Sequence, residues 1–164
     1  MASLFRARPP PSIAETPLSE DADDPRIAWQ LHPQGLITGA SVHDGLIRKV
    51  CFEEGAFKVR IAGTTGAMSE FAFGGVAKFR ANFIDWPIVE GIYAWRIGQT
   101  PEFSAEAEDS PWRQLAWPAP DDDLPGFVAR LCRDNPDSFL VQISCSYGGE
   151  AALICRDIHV FDLA

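Results

Sequence analysis

Residues 46–61 read LIRKVCFEEGAFKVRI, two alternating runs separated by Glu54-Gly55. The period of two is that of a half-buried strand. Glu54-Gly55 has the length of a tight hairpin turn, with glycine where a positive φ is wanted. Such a turn sets Phe52 against Phe57 and Val50 against Val59. Val50, Phe52, Phe57, Val59 and Ile61 then share one face, while Lys49, Cys51, Lys58 and Arg60 take the other. A slip of one residue would bury the lysines, so this register is strongly specified.

Working outward, the glycine-bounded GTTG at 63–66 leads to a third strand at 68–73. One bulged residue sets Phe71 against Val59 and Phe73 against Phe57. It also places Glu70 opposite Arg60, relieving the repulsion between Lys49 and Arg60 by roughly 0.2–1 kcal/mol. IVEGIYAWRI at 88–97 gives another strand, with Val89, Tyr93, Trp95 and Ile97 on one side. SFLVQISCSYGGEAALICRDIHVF at 138–161 reads as a hairpin about Gly148-Gly149. In that hairpin Phe139, Val141, Ile143 and Cys145 face inward with Ala152, Ile154, Ile158 and Val160. Arg156 falls awkwardly in the inward register opposite Val141, and Cys145 and Cys155 point to opposite faces. One helix is expected: Asp123 can cap it, Pro125 suits its first turn, and Leu124, Phe127, Val128 and Leu131 fall on one side. Arg130 and Arg133 lie near its C-terminal end, and Asn135-Pro136 stops it.

The expected fold is therefore α+β, a mostly antiparallel meandering sheet with one packed helix. At 164 residues and 46% hydrophobic composition the chain fits one domain, over 27–164. Residues 1–26 hold Pro9-Pro10-Pro11 and the acidic run SEDADD and read as a loosely attached tail. No apolar segment follows Arg6 and Arg8 as in a secretory signal, and no run reaches the length of a membrane span. Cys51, Cys132, Cys145 and Cys155 lack metal or redox spacing and read as buried free thiols, which suits a cytoplasmic protein. The net charge of −9 disfavours nucleic acid and anionic membranes and favours a basic protein partner.

Few residues suggest chemistry. His43-Asp44 has the composition of a base with its orienting carboxylate, with Ser41 or Cys51 as nucleophile. Adjacent strand residues diverge, however, unless the backbone turns there, and Asp44-Gly45 also reads as a plain turn. His32 and His159 stand apart from it, and no zinc spacing appears. Asp121-Asp122-Asp123 lacks the alternation of a calcium loop, and neither GTTG nor FGGV is followed by a P-loop lysine. No cofactor or metal is expected. Between Gln99 and Leu124 lie seven acids and one base, Arg113, together with Trp112 and Trp117. This segment reads as an irregular crossover. Aromatic anchors ringed by charge are the make-up of a protein-binding hot spot. Trp112, Trp117, Asp121, Asp122 and Asp123 are accordingly the candidate binding residues.

The HDGLIRKVCF opening, the FGGV after the third strand and the terminal SYGG segment carry a resemblance. Over roughly 40–97 and 138–162 the chain resembles small bacterial β-rich proteins without an assigned activity, some of which are similar to immunity proteins of polymorphic toxin systems. That resemblance brings no catalytic residues. With the negative charge it points to a non-catalytic protein-binding domain, in the immunity-like case an inhibitor of a basic partner protein; a structural subunit that pairs through an exposed strand edge or apolar sheet face is also open. The alternative from the residues themselves is a small hydrolase or ligand-binding domain using His43 and Asp44.

Overall fold

A computed structural model of the chain describes residues 26–97, 110–118 and 123–163. It is mostly antiparallel β-sheet with two helices. A short pair, β1 (Gln30–Leu31) and β2 (Ile37–Thr38), precedes β3 (Gly45–Glu53), β4 (Ala56–Ala62), β5 (Met68–Gly74) and β6 (Lys78–Arg96). Then come α1 (Pro111–Ala116), α2 (Leu124–Asp134), β7 (Phe139–Cys155) and β8 (Asp157–Asp162). The six long strands run β7-β6-β3-β4-β5-β8.

The meander follows its sequence pattern. Phe52 pairs with Phe57, Val50 with Val59 and Lys49 with Arg60 around a turn at Glu54 (φ 55°) and Gly55 (φ 76°). Phe71 pairs with Val59, Phe73 with Phe57 and Glu70 with Arg60. Gly63 N–H donates to Ala67, which joins the loop and supplies the odd residue that this register requires. Arg48 is an extra residue in β3, at a register shift between Ile47 and Lys49. Strict alternation from Val50 would put Arg48 on the apolar face. The bulge removes it and lets Ile47, 4% exposed, join that face instead.

The second half departs from the expected hairpin. β7 runs unbroken through Gly148 and Gly149 and pairs with β6 from Lys78↔Ile154 to Arg96↔Phe139. Both glycines have positive φ, and they sit where the ladder shifts register between Phe83 and Ile88. They bend the strand and do not reverse it. The reversal of facing comes later, at Arg156, an exposed corner between β7 and β8. Phe139, Val141, Ile143, Ala151, Leu153 and Cys155 therefore face the main core with Ile158 and Val160, while Ala152 and Ile154 face the other way. Arg156 does not lie opposite Val141, so no arginine has to be accommodated inside. Cys145 and Cys155 both lie toward the main core, not on opposite faces, and both are free thiols.

A second bulge, at Glu90 between Val89 and Gly91, splits the next expected face. Val89 joins Ile92 and Ala94 in the main core, whereas Tyr93, Trp95 and Ile97 turn to the opposite side. The outer strands β7 and β8 stand at opposite ends of the strand order yet are joined through Arg156 alone. In a flat sheet they would lie roughly 24 Å apart. The sheet must therefore roll up, enclosing Phe57, Val59, Ile61, Phe71 and Phe73, all at most 3% exposed. Residues 26–29 cover the β8 edge, through Ile27 N–H to Val160 O (2.7 Å) and Trp29 Nε1 to Ile158 O (3.2 Å).

Both helices lie on the outer face of β6 and β7, where they make a second core from Trp95, Ile97, Trp112, Leu115, Leu140, Ala152 and Ile154. α2 matches the expected helix, with Phe127, Val128 and Leu131 packed on this core. Asn135 closes it, its side-chain nitrogen donating to Leu131 O at 3.0 Å. α1 is a helix that the acidic crossover does not advertise: six residues opened by Pro111, too short to show a helical repeat.

Burial sets the chemistry of two thiols. The Cys155 thiol is pushed up to about 12 by burial and then by Asp157, and Cys145 to about 11 by burial and then by Glu150 and Glu90. A thiol whose pKa rises on folding favours the folded state fully below its ordinary pKa of 9.0. That contribution fades as pH climbs through the folded value. Urea unfolding should therefore show level stability up to about pH 8 and a decline from about pH 9 upward. Cys155→Ala should flatten the decline, and an unchanged slope in that variant would refute the assignment.

Candidate interaction surface

The candidate residues separate on the structure. Trp112 is 4% exposed and packs in the second core, so its indole is not at the surface. Trp117 ends α1 and is 63% exposed. The Arg80 guanidinium lies 3.9 Å from the Trp117 ring centroid, and Lys78 Nζ lies 4.9 Å from that of Phe127. Both cations come from the outward face of β6 and brace the helix layer by cation–π contact, worth about 0.5–1 kcal/mol each when exposed. Arg80 thus fixes one face of the indole while most of the ring stays in water.

Asp123 precedes α2 without a side-chain cap hydrogen bond. Its carboxylate instead accepts from Arg130 Nη2 at 2.9 Å, an exposed pair of small energetic weight. Asp121 and Asp122 lie outside the described residues, as do the four acids of 98–109. Charge nonetheless divides sharply along the chain. The described residues carry twelve acids and twelve bases. The whole net charge of −9 is therefore carried by 1–25, 98–109 and 119–122, which contribute −3, −4 and −2. The last two segments leave and re-enter the described fold at Ile97, Ser110, Pro118 and Asp123, on the helix side. The acidic crossover is plain in the sequence, whereas the neutrality of the described residues emerges only with their boundaries.

His43 and Asp44 do meet. Asp44 has φ 60°, the backbone turn that adjacent strand residues would need, and Nδ1 stands 3.0 Å from Oδ2. The two side chains are 74% and 63% exposed, so water screens the pair. Cys51 lies roughly 20 Å farther along β3 at about 3.3 Å per residue, beyond the reach of the imidazole. Among the described residues no group of three or more His, Cys, Asp or Glu could hold a metal ion. No helix among them is long and apolar enough to cross a membrane.

The outer face of the meander is also charged but internally paired. Arg60 Nε donates to Glu70 at 2.6 Å, with the Glu70 side chain only 9% exposed. Lys49 bonds Glu53 at 2.9 Å and Lys58 bonds Glu54 at 3.0 Å. These contacts pair both lysines and Arg60 with neighbouring acids. No family model, curated protein or solved structure matches this chain.

Proposed function

We propose that this chain is a non-catalytic protein-binding domain whose acidic helix-side segments, with Trp117, dock a basic partner protein, in the manner of an immunity-like inhibitor acting in the cytoplasm. One observation carries the reading: the described residues are charge-neutral, and their braced, exposed Trp117 stands in sequence between 98–109 and 119–122, which together contribute −6 of the net −9. Negative charge of this size accelerates encounter with an opposite charge. A rigid aromatic then supplies contact area at little entropic cost. Neither feature needs a reaction centre.

The test begins with a partner recovered by affinity capture and continues as titration calorimetry at low and moderate salt. Converting Asp121, Asp122 and Asp123 together to asparagine should weaken binding about tenfold and flatten its salt dependence. Trp117→Ala should weaken binding by at least about tenfold at either salt concentration. Unchanged affinity and salt dependence in the triple variant would reject this surface.

A further inference from the structure

β3 is paired on both sides only at its beginning. It meets β6 at Gly45↔Val89 and Leu46↔Ile88, and among the described residues nothing pairs its β6-side edge beyond the Arg48 bulge. The Glu54-Gly55 turn determines which groups that edge presents. Glu53 and Ala56 flank a two-residue turn and exchange hydrogen bonds, as Cys51 and Lys58 do two residues on. The N–H and C=O groups of Val50 and Phe52 therefore point away from β4, into the open edge. These two residues are 38% and 53% exposed, unlike the buried Val59 and Phe57 opposite them. The Phe52 ring lies 6.0 Å from that of Phe79, itself 49% exposed, so apolar surface continues past the strand.

The residues along this edge are self-complementary. In antiparallel pairing with a second β3 about a two-fold axis at Cys51, Val50 faces Phe52 of the other copy, and Lys49 faces its Glu53. Each relation occurs twice by symmetry. The hydrogen-bonding parity agrees: Val50 and Phe52 fall at hydrogen-bonded sites and can exchange four backbone bonds, while Cys51 faces its twin at a non-bonded site. Directly opposed residues at such a site have Cα atoms about 4.5 Å apart, within the span a disulfide bridges. A register shifted by two residues would lose both the charge matching and the Val50–Phe52 contacts.

We infer that β3 is a self-association edge, and that a second copy of this chain adds to it as an antiparallel strand centred on Cys51. The surface is distinct from the helix side and carries a different role. The ladder ends on one side at the Arg48 bulge and on the other at Glu54, whose positive φ leaves the extended strand. The interface is short, which fits a reversible dimer better than a permanent one.

Sedimentation velocity from micromolar to submillimolar full-length protein should show a monomer–dimer equilibrium. Lys49→Glu and Glu53→Lys each place like charges opposite one another twice, and each should weaken the dimer about tenfold. The double reversal K49E/E53K restores both pairs and should return the affinity to near wild type. Diamide, accepting two electrons and two protons from the paired thiols, should give a disulfide-linked dimer that Cys51→Ser abolishes. Cys51→Ser itself should still dimerise reversibly. A one-chain mass throughout, a double reversal as weak as the single ones, no linked dimer with diamide, or a link surviving Cys51→Ser would each overturn the inference.

Discussion

Gly149→Ala is expected to cost at least about 4 kcal/mol, a large share of a typical domain's stability. A β-carbon at Gly149 would stand 1.5 Å from the Asn82 carbonyl oxygen and 2.6 Å from its carbon, both backbone atoms of the paired strand. Neither can retreat without breaking the β6–β7 ladder. The φ of 107° adds strain of about 1–3 kcal/mol for any side chain. Gly55→Ala is the control. Its φ is also positive, but no atom lies within 4 Å of the added carbon, so only about 1 kcal/mol is expected. Urea melts of the two variants decide between a bent continuous strand and a hairpin. Were Gly148-Gly149 a tight surface turn, the two substitutions would cost about the same.

Trp112→Ala and Trp117→Ala should separate just as cleanly. Trp112 is buried against Trp95, Leu115, Leu140 and Ile154, and its loss should cost about 3–5 kcal/mol through removed burial and the cavity left behind. Trp117 loses only its cation–π contact with Arg80, so its removal should cost about 1 kcal/mol or less. Binding should respond in the reverse order once folded protein is compared with folded protein. Thermal melts read the first difference and calorimetric titration the second. A Trp117→Ala variant as unstable as Trp112→Ala would mean that the exposed indole is structural.

How much of this was legible in the residues depended on whether local pattern and tertiary context agreed. From Lys49 to Phe73 they agreed: alternation, a Glu-Gly turn and a costly alternative register leave one pairing, and the strands adopt it. In β6 and β7 they conflicted. Glu90 is an ordinary acid whose role as a bulge is visible only beside Ser144 and Cys145 of β7, and alternation alone leaves Tyr93, Trp95 and Ile97 on the face of Val89. Gly148-Gly149 carries the composition of a hairpin turn, and positive φ serves a bend as well as a reversal. Arg156 on the inward register was the internal warning that the hairpin was wrong. At the candidate surface, tryptophan content marked the segment but could not tell an anchor from a core residue. Trp112 and Trp117 are five apart on a six-residue helix and its exit, and only the sheet beneath them sorts one inward and one outward.

The rolled sheet also governs the order in which the molecule can be assembled. Its closing pairs join residues 43 apart at Arg96↔Phe139 and 93 apart at Ser69↔Asp162. Such remote pairings form slowly, because loop closure is unfavourable until the contacts beyond it exist. β7 and β8 are synthesised after β3 to β6, and they supply partners to β6 and β5 together. A ribosome-bound chain halted before residue 139 therefore carries a three-strand meander with Phe71 and Phe73 uncovered, and a chaperone is the first protein such a chain has reason to meet.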